Sequence, residues 1–301
     1  MRLVTRGNLD GLTSTVLIDH AERLDDIELI HPQDITDEKF EVKPDDILAN
    51  LPYHASCLKW FDHHSATRTY EKPPAVFDGK YGLSPSTARL VYDYYLHDNP
   101  GFKLYDELVK ETDRYDAAKL TVGDVTNPER IVLLGFTMDP RTGLGSFKDY
   151  FMKLVDVFRE ETIDEVMALP EVQERARRIA EDRENFLEAM RAQSRLETNV
   201  IVTDLRDVED LPAGNRFLIY TLFPEANVSL RIAWGPKKEF VVATVGHSIF
   251  NRTCPVHIGG LLSKYGGGGH KGAGATPLSR DNANDLIQEL IAKLNETPVN
   301  A

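Results

Sequence analysis

The first sixty residues alternate short apolar runs with helix-patterned segments, an order that favours a parallel sheet flanked by helices. Leu3 to Thr5 reads as the first strand and Leu12 to Arg23 as the helix after it, and residues 27–30, 47–50 and 58–61 supply further strands. In open sheets of this kind ligands gather outside the carboxyl ends of the strands. Asp10, Asn50 and the tripeptide Asp62-His63-His64 all fall at or just past such ends. A carboxylate and two imidazoles closing a buried strand form a candidate metal cluster. Taken alone, the histidine pair suits a capped or solvated turn equally well, and Asp10 suits a helix N-cap.

After these strands the pattern turns helical, starting at Ser84-Pro85-Ser86-Thr87 and continuing through segments near 105–111, 128–138 and 147–158. Residues 171–195 are charged and helix-favouring with no internal Gly or Pro, which predicts one long helix joining two domains. Beyond it, β-branched and aromatic runs at 199–203, 216–222, 228–234 and 240–245 read as strands, followed by two helical segments, one before Gly266 and one at 282–294. The expected fold class is α/β: a parallel-sheet domain over 1–170, a linking helix over 171–197 and a smaller α/β domain over 198–301. A chain of 301 residues suits two domains by length as well.

The second domain carries the most specific motif, Gly266-Gly267-Gly268-Gly269-His270. Successive glycines permit backbone angles at which amides converge on an anion, so the loop is a candidate phosphate cradle through Gly267, Gly268, Gly269 and His270. Upstream, Ser248, Asn251 and Arg252 place a hydroxyl, an amide and a guanidinium in one loop, where an ordinary polar turn is the competing reading. With a net charge of -13 the chain lacks the broad basic surface of a nonspecific nucleic-acid binder, so phosphates must be met locally and no long duplex is expected. Two cysteines far apart in sequence and no apolar run long enough for a membrane span suggest a cytoplasmic protein without a disulfide framework.

On Asp62-His63-His64 and Gly266-Gly267-Gly268-Gly269-His270, in that order and separation, the chain resembles the DHH phosphoesterase superfamily, in the branch with a carboxy-terminal DHHA1 domain. The finer likeness is to exopolyphosphatase-related and oligoribonuclease-like members. The resemblance implies two divalent ions, usually manganese, held by acids of the first loop, an acid after a later strand, the first histidine of the motif and a helical acid. Carried onto this chain, the ligands are Asn8 and Asp10, Asn50, His63 and Asp113, with Asp62 and His64 orienting ligands or touching substrate.

Asn8 and Asn50 stand where many members have aspartates, and Arg6 near where several have histidine. Neutral amides bind hard cations but bring no charge and bridge two ions poorly. One ion is therefore expected more firmly than two, Mn2+ first, with Mg2+ or Co2+ as alternatives. Arg6 either meets a phosphate oxygen directly in place of the second ion or pairs with a surface acid.

The implied function is a metal-dependent hydrolase of phosphodiester or phosphoanhydride bonds in a short phosphate-bearing substrate: an oligoribonucleotide, a cyclic dinucleotide or polyphosphate. The competing function is a phosphate-ligand or nucleotide binding protein with a degenerate metal site, motivated by Asn8 and Asn50. No membrane partner is expected, and a homodimer is compatible with the sequence.

Overall fold

Short strands build the first sheet, with helices between the first three of them. In the computed structural model, which describes residues 1–64, 74–138, 146–212 and 214–295, the chain divides into units Met1–Ala180 and Glu181–Ala301. In the first unit β1 (Arg2–Thr5), β2 (Asp26–Leu29), β3 (Asp46–Ala49), β4 (Lys59–Asp62) and β5 (Gly79–Tyr81) form an all-parallel sheet in the order β2-β1-β3-β4-β5. Every carboxyl end therefore lies along one edge of the sheet. Trp60 is core: it is buried, stacks on Tyr81 at 4.7 Å and donates its indole N–H to the Leu51 carbonyl.

Helix α1 (Leu9–Glu22) is buried from Leu9 through Asp19, which makes it the inner helix of the unit. The turn that launches it is tight, because a Cβ on Gly11 would stand 2.0 Å from the Arg6 carbonyl oxygen. After α2 (Pro32–Thr36), α3 (Thr87–Leu96) begins at the Ser86 N-cap, whose side chain accepts from the Arg89 amide. The remaining helices of this unit are α4 (Asp106–Asp116), α5 (Val122–Thr126), α6 (Arg130–Thr137), α7 (Phe147–Phe158) and α8 (Ile163–Met167). Both α3 and α4 pack against α1. That packing brings their ends to the carboxyl edge of the sheet.

The long helix α9 runs Pro170–Gln193, and the division between units falls within it. Ser194–Glu197, expected to continue the linking helix, is instead β6, turned at Thr198 (φ 58°) onto β7 (Val200–Asp204). Residues 216–222, expected as a strand, are a short 3-10 turn and α10 (Ile219–Leu222). Asn215 caps the turn by accepting from the Phe217 amide, and Leu218, Ile219 and Tyr220 are all buried.

The second sheet adds β8 (Val228–Trp234), β9 (Phe240–His247), β10 (Gly268–Gly269) and β11 (Ala273–Ser279), in the order β10-β11-β9-β8-β7-β6. Only β7 and β8 pair in parallel. Val228, Leu230 and Ile232 alternate inward with Val241, Ala243 and Val245, and α11 (Ile258–Leu262) and α12 (Ala283–Asn295) bring Leu262, Ile287, Leu290 and Ile291 onto that face. No helix among the described residues is long and apolar enough to cross a membrane.

Candidate metal centre

Three elements deliver one ligand each. Asp10 enters from the first turn of α1, His63 follows the end of β4, and Asp116 closes α4; their ligand atoms lie within 4.8 Å of one another. His63 Nε2 stands 3.3 Å from Asp116 Oδ2 and 3.8 Å from Asp10 Oδ2. The other ring nitrogen, Nδ1, is 3.0 Å from the Ser84 carbonyl oxygen, which can only accept. Nδ1 therefore carries the hydrogen, and in the neutral ring Nε2 presents a lone pair to the two carboxylates.

Asp10 is fixed just as firmly. It is 1% exposed, and its two oxygens accept from the Thr87 and Ala88 amides at 3.0 and 2.8 Å. Those amides open α3, whose positive end favours a carboxylate. The charge is thus stabilised while the rotamer is locked.

Two acids of α4 are placed differently. Asp113, the helical acid named from sequence, accepts from Ser86 Oγ at 2.6 Å and from Arg89 Nε and a terminal guanidinium nitrogen at 2.9 and 2.7 Å. Its oxygens are engaged by the α3 N-cap and a cation. Asp116, three residues on and missed from sequence, faces His63 instead. The acid-rich run Glu111 to Asp116 was the signal, but choosing within it required knowing which face Arg89 covers.

Asn8 and Asn50 divide in the same way. Asn8 Oδ1 accepts from the Gly11 amide at 2.9 Å and from Asn50 Nδ2 at 3.1 Å, so the expected ligand is an N-cap whose oxygen is already used. Asn50 is 1% exposed, sits at φ 60°, a left-handed conformation that asparagine tolerates, and its Oδ1 has no partner among the described residues. Asp62 is buried with Oδ1 2.8 Å from His64 Nδ1, and Oδ2 likewise has no partner among the described residues. Arg6 makes no ion pair among the described residues, and its charge, after burial, helps to hold His31 below the usual imidazole range.

Most buried polar atoms without a partner among the described residues belong to this neighbourhood: Thr5 Oγ1, Asn50 Oδ1, Asp62 Oδ2, His63 Nε2, Ser84 Oγ and Thr87 Oγ1. Leaving buried polar atoms unpaired costs on the order of 1–3 kcal/mol each, so their concentration marks a place shaped for a ligand. Two carboxylates, one imidazole with its lone pair presented and a buried amide oxygen are a donor set that fits a divalent cation.

The glycine-rich loop of the second unit behaves differently. The Gly267 amide donates to the Leu262 carbonyl, Gly268 and Gly269 pair with Ala275 and Gly274, and the His270 amide donates to Ala273. A Cβ on Gly267 would stand 2.3 Å from the Ala275 oxygen. These glycines serve close backbone packing, and the Gly267 and His270 amides expected to converge on an anion already have acceptors.

Ser248 is buried and accepts from the Phe250 and Asn251 amides, while Asn251 donates to the Glu225 carbonyl and accepts from Thr253. Arg252 is exposed, with Nε donating to Ile249. His270 is exposed, and its Nδ1 accepts from the Gly272 amide at 3.1 Å.

No protein-family model and no curated protein matches the sequence. Among solved structures the chain is similar to PggH, a pGpG-specific phosphodiesterase from Vibrio cholerae, with 36% identity over 98% of both chains and a TM-score of 0.75. It also shares its fold with RecJ from Thermus thermophilus in complex with Mn2+, at 16% identity, 99% of this chain, 52% of that one and a TM-score of 0.55. A manganese-bound exonuclease RecJ matches at 15% identity, 99% of this chain, 91% of that one and a TM-score of 0.52.

Proposed function

From the premise that this chain belongs to the DHH phosphoesterase superfamily, in its DHHA1-bearing branch, we propose that it hydrolyses a linear diribonucleotide of the pGpG kind. Membership makes it a metal-dependent phosphoesterase; the substrate, the ion and the residue roles are the proposal. The observation that carries it is His63, whose buried Nε2 faces Asp10 and Asp116 with its hydrogen held on the opposite nitrogen by Ser84. Identity of 36% across the full chain to a pGpG-specific enzyme supports the substrate.

Asp10, His63 and Asp116 would hold one divalent ion, with Asn50 Oδ1 as a fourth donor. The mixed imidazole and carboxylate set favours Mn2+ over Mg2+, and the manganese in both RecJ structures supports that choice. Such an ion supplies an electrophile for the phosphoryl group and makes water more acidic. Arg6 offers a guanidinium fork to a non-bridging phosphate oxygen, where a second ion would find only the engaged amide of Asn8.

Phosphodiester hydrolysis breaks the bond from phosphorus to the leaving sugar oxygen, which must gain a proton. A water oxygen bonds to phosphorus as that bond breaks, and His64 would act as the imidazolium, with Nδ1–H on Asp62, which fixes the ring, and the Nε2 proton passing to the leaving oxygen. In the second unit, His270 and Arg252 are the side chains assigned to substrate phosphates.

The test is hydrolysis of pGpG, a longer oligoribonucleotide, a cyclic dinucleotide and polyphosphate in parallel with Mn2+, Mg2+ and Co2+. Conversion of pGpG to mononucleotide, fastest with Mn2+, is expected. Binding of pGpG without turnover under every ion would overturn the enzyme reading in favour of a nucleotide-binding protein.

A further inference from the structure

His247 closes β9, and its backbone amide donates to the Gly272 carbonyl at 2.7 Å, which brings its ring beside the segment that links His270 to β11. Ring Nε2 is 2.8 Å from the Val256 carbonyl oxygen. A carbonyl only accepts, so Nε2 carries the hydrogen. Burial above all, aided by the charges of Lys271 and His257 and opposed by the Val256 bond, holds the ring below the usual imidazole range and so neutral at pH 7. Nδ1 is left with a lone pair.

That lone pair is unused. Among the described residues nothing donates to Nδ1, which is also not among the buried atoms without a partner, so it is open to solvent. No metal-ligating group of three side chains among the described residues includes it. A Cβ on Gly272 would stand 3.7 Å from His247 Nδ1 and 3.7 Å from His270 Cε1, so both rings flank the bare side of this glycine. His270 accepts the Gly272 amide on Nδ1, which places its ring hydrogen on Nε2. A donor imidazole therefore stands beside an acceptor imidazole.

The acceptor narrows the ligand. An ionised phosphodiester offers only acceptors, so His247 Nδ1 cannot serve it; the group that meets Nδ1 must bring a hydrogen. Next to a nucleotide phosphate, the nearest such group is the sugar 2′-hydroxyl, which also separates RNA from DNA. Resting on the diribonucleotide reading above, we propose that His247 determines sugar specificity: its Nδ1 accepts a hydrogen bond from the 2′-hydroxyl of the nucleotide whose phosphate His270 holds.

The experiment compares pGpG with its 2′-deoxy counterpart in the full-length, manganese-loaded chain, reading both equilibrium binding and kcat/KM. The ratio of the two substrates is taken within each variant, so loss of folded protein cancels. Wild type should favour the ribonucleotide by about 5-fold, the effect of one ordinary hydrogen bond. His247→Phe should bring the ratio near 1 by weakening pGpG alone. His247→Gln, whose amide can donate to Val256 and still accept, should restore part of it. Gly272→Ala, which puts a methyl against both rings, should also lower it.

Equal handling of the two sugars by wild type, or an unchanged ratio in both His247→Phe and Gly272→Ala, would overturn the sugar site and leave the hydrolase reading standing. Failure of wild type to bind or cleave either dinucleotide would overturn both.

Discussion

The two units meet the problem of a charged ligand in opposite ways. In the first, buried polar atoms of Asn50, Asp62 and His63 have no partner among the described residues at one end of a parallel sheet. In the second, Ser248, Asn251 and the Gly267 and His270 amides satisfy one another or their neighbours, and glycines bring backbones together. Unpaired buried groups cost stability unless something completes them, whereas a saturated loop is stable as it stands. The first unit should therefore depend on its ion, and the second on its packing.

The largest effect tests which acid of α4 belongs to the centre. Asp116→Ala should lower Mn2+ affinity by more than about 100-fold, since removal even of an outer partner typically costs 10–100-fold. Asp113→Ala should leave the metal stoichiometry intact and instead destabilise the fold by about 1–2 kcal/mol, as Arg89 and Ser86 lose their acceptor. Calorimetric titration beside thermal denaturation separates the two. Equal metal loss in both variants would break the distinction.

Next in size is the second unit's backbone. Gly267→Ala should destabilise by about 1–3 kcal/mol through overpacking against Ala275 and Thr276, measured by denaturant unfolding, with Mn2+ affinity unchanged. A loop that tolerates the methyl would be an open anion cradle after all.

A smaller change probes the helix that holds Asp10. Ser86→Ala removes the α3 N-cap and should cost about 1 kcal/mol. Because the same turn orients the amides on Asp10, chemical denaturation should show a larger loss with Mn2+ present than with chelator. An identical loss under both conditions would uncouple the cap from the centre.

The smallest effect is titration of His247. Its pKa is lowered in the fold, so its contribution is fully present above the unfolded imidazole value of about 6.5 and lost as pH falls through the folded one. Between pH 7.5 and pH 5, unfolding midpoints of His247→Gln should fall less than those of wild type. Equal falls would place the acid sensitivity elsewhere.

Much of this arrangement was legible in the sequence. Strand starts and ends were placed within about two residues wherever an apolar run was bounded by a loop, and the edge that carries Asp10, Asn50 and His63 followed from the alternation. What the sequence left open was choice by neighbours. Asp113 and Asp116 lie on the same helix, and Asp113 is the one engaged by Ser86 and Arg89 at the start of α3. Asn8 looked like a ligand until Gly11 and Asn50 were seen to use its oxygen. Residues 216–222 had strand composition, but the Asn215 cap favoured a helical turn. β11 was overlooked because Ala273-Gly274-Ala275 carries no strand signal of its own and is held by pairing with β9.

The central claim is one divalent ion held by Asp10, His63 and Asp116. Calorimetric titration of Mn2+ into the metal-stripped full-length protein, wild type beside His63→Ala, tests it most directly. One equivalent bound by wild type and none by the variant is the predicted result; two equivalents in wild type, or undiminished binding in His63→Ala, would contradict it.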